Sequence, residues 1–290
     1  MTRNQNSAIL FELLRSFTTL AKTLNLSKAV RVLGSTRQTV RRHISLLEES
    51  KGMPLFVLED RQYQLTEAGR GAIQEAEELL ARGEAWLNNQ SDHINGLSRL
   101  AYQDEEGFSY HLQQHAFGDI WRSGTPLLQR AFQCWADAKG EIEAEPMVLI
   151  RPYITVFRLL EDDWICAEVG SQSSYATWYG WQAERSSIGR AIVDMPGGGG
   201  FAKLLSQPFW DVHEHGCARL DHIHTQIGDQ DGLEMVPITY QRLLLGSRFP
   251  DGSFALVTLI DRTHNVEISG LTEEQAKSMP DKYLMEVVPL

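Results

Sequence analysis

LLRSFTTLAKTLNLSKAVRVLGSTRQTVRRHISLLEESKGMPLFVLEDRQYQLTEAG, residues 13–69, is the stretch that decides how the chain begins to fold. Leu13, Leu14, Phe17 and Leu20, with Leu10 just before them, recur at helical spacing and give one apolar face. Asn25 is placed to cap a second helix whose inward positions are Leu26, Ala29, Val30 and Leu33. Gly34 breaks that helix, and Thr36 caps a third with Val40, Ile44 and Leu47 facing inward. Two short helices joined at a glycine read as a helix-turn-helix.

The outer face of the third helix presents Arg37, Gln38, Thr39, Arg41, Arg42 and His43. Arginine can pair bidentately with guanine, glutamine with adenine, and threonine can reach a phosphate or a thymine methyl. Charge supports a double-stranded DNA partner. The whole chain is at −11, yet residues 1–47 hold eight Lys/Arg against Glu12 alone. The 200 residues after position 90 are at −13. A basic head on an acidic body is expected when only the head touches phosphates. The alternative is a merely solvated charged helix.

After Gly52, LFVLEDRQYQLT (55–66) alternates loosely around Glu59-Asp60-Arg61 and reads as a two-stranded wing. Thr66 then caps a long helix with Glu67 near its positive end. Ile73, Ala76, Leu80, Gly83 and Leu87 repeat at three- and four-residue steps, a seam for another helix. A dimer seam is the favoured reading, packing within its own domain the alternative.

The residues Leu14-Arg15-x-Phe17, Asn25-Leu26-Ser27-Lys28-Ala29, Leu33-Gly34, Val40-x-Arg42-x-Ile44, Leu47-Glu48, Gly52, Leu55-Phe56 and Leu65-Thr66-Glu67-Ala68-Gly69 resemble the winged helix-turn-helix of LysR-type transcriptional regulators. The resemblance implies a dimer joined by the long helix and DNA contacts from Thr36, Arg37, Gln38, Arg41 and Arg42. Ser27, Lys28 and Thr39 complete the expected contact set, with Arg61 as the wing's cation. The wing departs from the family pattern: Val57-Leu58-Glu59-Asp60 stands where a basic residue is usual.

Composition is that of a globular protein, 42% hydrophobic and 22% charged, with room for two domains. No apolar run approaches the roughly 20 residues of a membrane span, and MTRNQNS does not read as a secretory signal. Cys134, Cys166 and Cys217 are odd in number and scattered, which points to a reducing cytoplasm rather than a disulfide scaffold.

The body does not open as a LysR-type two-lobed effector domain would. Residues after Ser91 are polar and show no clear buried strand. Tyr153–Arg158 and Trp164–Val169 read as a hairpin around Glu161-Asp162-Asp163, helical residues 173–192 follow, and 240–249 and 253–260 form a second hairpin at Pro250-Asp251-Gly252. That gives an antiparallel sheet with helices on one face. The order resembles a PAS sensor domain, on Tyr179-Gly180-Trp181, Glu184, Ile188-Gly189-Arg190, Asp251-Gly252-Ser253 and Ile260-Asp261-Arg262-Thr263. The resemblance implies a sensor of a small molecule, a cofactor or a protein contact.

Phe209 to His224 is the densest chemical cluster. On a strand, His213, His215 and Cys217 would share a face, and so would His222 and His224. They are candidates for a metal or a haem, against surface or hydrogen-bonded histidines, because the spacing fits no standard zinc pattern. Gly197–Gly200 lacks the Lys-Ser/Thr of a phosphate loop and reads as a flexible loop. No nucleophile motif, paired carboxylates or dinucleotide fingerprint argues for an enzyme.

The expectation is an α+β chain: a winged helix-turn-helix over 1–66, a linker and dimerisation helix over 67–97, a helical connector over 98–145, a PAS-like sensor over 146–265 and a tail over 266–290. Its function would be DNA-binding regulation as a homodimer or higher oligomer, open to a small-molecule effector, a haem or other chromophore, and RNA polymerase. The alternatives are a diverged two-lobed effector domain, or a ligand-binding or enzymatic body with a vestigial head.

Overall fold

The computed structural model describes residues 9–59, 62–87, 91–103, 108–161, 163–196, 202–228 and 234–285. The chain divides into two compact units, a head over 1–88 and a body over 89–290. No helix among the described residues is long and apolar enough to cross a membrane.

In the head, α1 (Leu10–Thr23), α2 (Leu26–Leu33) and α3 (Arg37–Lys51) precede a hairpin of β1 (Phe56–Glu59) and β2 (Gln62–Leu65), then α4 (Glu67–Leu87). The caps fall where the sequence puts them. Asn25 accepts from Lys28 N, Thr36 from Thr39 N, and Gly34 and Gly52 close α2 and α3 at positive φ. The core is Leu13, Phe17, Leu20, Ala29, Val40, Ile44, Leu47 and Leu55, joined by Ala76 and Leu80 of α4. Each large side chain so buried contributes roughly 1.5–3 kcal/mol.

The wing is fastened from two sides. The Glu48 carboxylate accepts from Leu55 N at 2.8 Å and Phe56 N at 3.1 Å. Thr66 Oγ1 donates to Pro54 O at 2.8 Å and accepts from Gly69 N at 2.9 Å. This brings α4 so close that a Cβ on Gly69 would stand 2.1 Å from Leu55 O, a backbone atom that cannot swing away. Gly69→Ala is therefore expected to destabilise the head by roughly 1–3 kcal/mol. Hydrogen exchange on the full chain should show faster opening across the wing and α4, with the body unchanged.

The body is built on one eight-stranded antiparallel sheet in the order β3-β4-β5-β8-β9-β10-β6-β7. Its strands are β3 (Ser91–Ile94), β4 (Leu97–Gln103), β5 (Ser109–His115), β6 (Ile154–Leu160), β7 (Asp163–Val169), β8 (Ala218–Gly228), β9 (Met235–Arg248) and β10 (Phe254–Arg262). Three helices accompany them: α5 (Pro126–Asp137), α6 (Ser174–Ser187) and α7 (Ala202–His215). A fourth, α8 (Glu273–Ala276), lies in the C-terminal segment. Helices cover both faces rather than one. Leu127, Leu128 and Ala131 of α5 pack with Ile154, Val156, Leu243 and Val257. On the opposite face, Ala176 of α6 and Phe209 and Val212 of α7 pack with Phe157, Trp164, Leu244 and Leu256. Double coverage is why β9 and β10 are buried along most of their length, on both sides.

Three expectations are corrected. Residues 91–115 carry β3, β4 and β5 where no strand was clear, and 98–145 is helical only from Phe117 onward. The strands carry a weak sequence signal because few apolar residues mark their buried face: Ser109–His115 buries Tyr110 and Leu112 among Ser, His and Gln residues. The two-lobed alternative is not met either, since one sheet organises the whole body. Finally, residues 266–285 are no free tail. Ile268 and Met279 are buried against the body.

Candidate nucleic-acid interface

The third helix divides cleanly. Val40, Ile44 and Leu47 are buried, while Arg37, Gln38, Arg41 and Arg42 are exposed and Thr39 is half-buried. Positions 37 and 41, like 38 and 42, are four apart and make two adjacent ridges on the free face. Thr36, Ser27 and Lys28 are also exposed. Arg37 Nη2 donates to Ser27 Oγ at 2.8 Å, which ties the start of α3 to the start of α2. Thr36 Oγ1, besides its capping bond, lies 2.8 Å from Thr39 Oγ1.

His43 is the exception. Expected on the outer face, it is 7% exposed and its Nδ1 lies 2.8 Å from Ser16 Oγ on α1. Three residues after Val40 and four before Leu47, it belongs to the buried stripe. Sequence reading also passed over Arg31, exposed at the end of α2, whose only signal was the charge count. From Leu26 to Ser45 there are five Lys/Arg and no acid. Among the described residues none of these five pairs with a carboxylate, so their field is directed at solvent. Arg61 lies outside the described residues.

The α4 stripe is partly corrected. Ala76 and Leu80 are 4% and 9% exposed, packed in the head's own core with Ile73 half-buried beside them. The approach is close: a Cβ on Gly83 would lie 2.6 Å from the Phe11 ring. Of the expected seam only Leu87 is free, at 64% exposure, together with Leu79 at 45% and Trp86 at 70%. A helix packed along one side leaves a different apolar ridge for a partner.

The histidine cluster is corrected as well. His213 and His215 are on α7, where two residues turn about 200° around the axis. They share no face, and exposed Cys217 follows the helix. His213 packs against Phe254 with ring centroids 4.8 Å apart, and His215 Nδ1 lies 2.7 Å from Asp211 O. No group of three ligating side chains occurs among the described residues. Gly197–Gly200 lies outside them.

His222 and His224 do share a face of β8; His224 lies opposite His111 of β5, and His222 lies opposite Gln113 and diagonal to His115. The His115 and His222 rings are 3.9 Å apart. Glu267 N donates to His222 Nδ1 at 2.9 Å, which leaves the ring proton on Nε2, itself buried without a partner. Burial and then the neighbouring His115 push His222 down to about 3. Burial and His111 push His224 down to about 4. An unfolded histidine titrates near ~6.5, so acid favours the unfolded body. Stability is complete above that pH and is lost as pH falls toward 4. The loss amounts to about 1.4 kcal/mol per pH unit for each histidine. Urea midpoints at several pH values measure it. His222→Asn, whose Oδ1 can take the Glu267 N–H, should flatten the loss.

The opposite face carries an ion triad. Arg219 Nε meets Asp221 Oδ1 at 2.8 Å, and Arg242 Nη2 meets Asp221 Oδ2 at 2.7 Å. Asp221 is fully buried. Burial alone would raise its carboxyl, but the two guanidiniums together hold it below the usual carboxylate value. Arg219 Nη1 also reaches Asp211 Oδ2 on α7 at 2.5 Å.

Residues 11–70 match the family model described as bacterial regulatory helix-turn-helix protein, lysR family. The HTH-type transcriptional activator AllS of Salmonella typhimurium is 37% identical over 83 residues, 29% of this chain and 26% of AllS. The HTH-type transcriptional regulator BudR of Klebsiella aerogenes is 33% identical over 85 residues, 29% of this chain and 59% of BudR. The crystal structure of CbnR, a LysR family transcriptional regulator, aligns with 27% of this chain and 27% of its own at 24% identity, TM-score 0.27. The match to AllS thus spans about a quarter of that protein's length. Residues 11–70 of the head are thus similar to the helix-turn-helix of the lysR family.

Proposed function

We propose that the chain is a DNA-binding transcriptional regulator that acts as a dimer and carries a PAS-like sensory body. The observation that carries the reading is the free face of α3. Arg37, Gln38, Arg41 and Arg42 stand exposed and, among the described residues, unpaired with acid, on the second helix of a region similar to the lysR-family helix-turn-helix. Residues at the start of that helix, Arg37 and Gln38, would meet base edges. Thr36, Ser27 and Lys28 would meet phosphates. Duplexes selected from a random pool should bind the full chain with an affinity that falls steeply with salt. Binding that ignores salt would remove the proposal.

Dimerisation would use Leu79, Trp86 and Leu87, the apolar residues that α4 leaves uncovered. Leu79→Glu with Trp86→Glu is expected to convert a dimer into a monomer in sedimentation velocity. It should also lower operator affinity by more than tenfold, because two half-sites would no longer be held together.

Strand order supports the sensory reading. Taken from β6 to β10, five strands lie as β7-β6-β10-β9-β8, with α6 and α7 inserted between β7 and β8 and packed on one face. That is the order in which a PAS-like sheet closes, its first and last strands side by side. The body departs from it by adding β3–β5 at one edge and α5 on the other face. A small-molecule effector and contact with RNA polymerase belong to the same proposal.

A further inference from the structure

Beyond the end of β10, residues 263–285 fold back over the sheet as a strap. Thr263 N donates to Thr239 O of β9 at 3.1 Å, and Thr239 Oγ1 donates to Ala276 O at 3.3 Å. Ile268 and Met279 are buried, Met279 in the cluster of Tyr110, Ile223 and Tyr240. Between these anchors, three alternate residues of the strap are gripped by their main chain. Gln241 Nε2 of β9 donates to Asn265 O at 2.6 Å. Ser269 N donates to Gln113 Oε1 of β5 at 2.7 Å, and Arg99 Nη2 of β4 donates to Ser269 O at 2.9 Å. Glu267, in the middle, is held by two histidines. Nε2 of His115 donates to its carbonyl at 2.9 Å, and its N–H donates to Nδ1 of His222 at 2.9 Å.

These grips answer acid differently. The amides and the guanidinium keep their donors and acceptors at any moderate pH. His115 donates from Nε2 whether neutral or charged. His222 alone must be neutral, because a proton on Nδ1 would face the Glu267 N–H. Its Nε2 is buried without a partner, and its ring lies 3.9 Å from that of His115. A charge there would be unsolvated as well as unbonded. The strap has no strand ladder of its own, whereas β10 is paired with β9 from Phe254 to Arg262. The strap is therefore the part that opens first.

We infer that His222 is a proton-operated catch: acid charges it, frees Glu267 and releases the strap over residues 264–271 while the sheet stays folded. In the closed strap, burial and then His115 hold His222 down to about 3. In the released strap it approaches an ordinary histidine, near ~6.5. Closure is complete above that value. As pH falls below it, the open-to-closed ratio rises by up to about tenfold per pH unit.

The charged groups around the catch do not take its place. Asp221 projects to the other face of β8 and is held by Arg219 and Arg242. His111 and His224 face each other with ring centroids 6.0 Å apart, and among the described residues neither bonds to the strap. Asp261 of β10 is hydrogen-bonded to Thr125, and Asp119, ahead of α5, pairs with Arg122. On the strap itself, the Glu267 and Glu274 side chains are exposed and Glu273 pairs with Lys277. His264 Nε2 lies 3.0 Å from Asp281 Oδ1, a contact that a proton on His264 would tighten, so it opposes release. The catch belongs to the body and needs nothing from the proposed DNA binding.

Hydrogen exchange of the full chain tests it, with each rate divided by the intrinsic rate at the same pH. Between about pH 7.5 and pH 5, protection of peptides spanning 264–271 should fall about tenfold or more, while β10 stays protected. In His222→Asn, whose Oδ1 still accepts from Glu267 N, the strap should stay closed and its protection should no longer depend on pH. Strap protection that is unchanged over this range in the wild-type chain would overturn the inference. So would loss of protection in the strap and β10 together, which is unfolding of the whole body. A full pH dependence retained in His222→Asn would overturn it as well. Should that variant not fold, the wild-type comparison of strap with β10 decides alone.

Discussion

Asp221→Ala is expected to unfold the body under conditions where the wild-type chain is stable. The carboxylate is fully buried and is the shared acceptor for Arg219 and Arg242, which are 5% and 3% exposed. Removing it leaves two buried cations facing each other, one of which keeps only Asp211. Breaking a buried pair in this way costs about 3–5 kcal/mol, a large part of a domain's net stability. Thermal unfolding measures it, with the head's duplex binding as the control that the effect is confined to the body. Replacing all three by apolar residues, as in Arg219→Met, Asp221→Leu, Arg242→Met, should recover most of that loss. A melting temperature within a few degrees of wild type for Asp221→Ala would mean that water already reaches the triad.

Arg41→Ala with Arg42→Ala is expected to abolish specific duplex binding while leaving both units folded. Both side chains are exposed, and among the described residues neither pairs with a carboxylate, so nothing in the fold depends on them. Each well-placed arginine on a base edge contributes about 1–3 kcal/mol. The proposed dimer would have two heads, so the double substitution would remove four such arginines. A drop in affinity of ~1,000-fold or more follows even if some serve phosphates. The salt dependence of what binding remains should flatten by roughly one unit of slope for every phosphate that is no longer neutralised. An unchanged affinity would mean that the outer face of α3 is not the reading surface and that the head is vestigial.

The head was legible because each local signal agrees with the tertiary result. Asn25 and Thr36 cap, Gly34 and Gly52 stop, and the 3.6-residue stripe Val40, Ile44, Leu47 is the buried one. His43 was misread because the same stripe passes through it and a histidine does not announce burial. Its partner Ser16 is 27 residues away. The α4 seam failed for a related reason. Spacing identifies an apolar face but not what covers it, and here α1 covers Ala76 and Leu80. In the body, β6, β7, β9 and β10 could be read, from their apolar segments and the turns that join them. Those pairing polar faces, β4, β5 and the start of β8, could not, because His111, Gln113, His222 and His224 are brought together only when β5 and β8 pair. The triad is equally silent in sequence: Arg219, Asp221 and Arg242 meet only once β8 and β9 are in register.

The position of β10 has a consequence for how the chain comes off the ribosome. It lies between β9 and β6, so the sheet's centre stays open until residue 262 has emerged. The head, by contrast, closes entirely within the first 88 residues. A nascent chain would therefore carry a finished head on an unfinished body for the time needed to synthesise about 170 further residues, on the order of ten seconds or more. Throughout that interval β6 would expose its inner edge, with Ile154, Val156 and Phe157 awaiting a strand made about 100 residues later. Translation slowed between β7 and β10 should raise aggregation of this protein while leaving a head-only fragment of residues 1–88 unaffected.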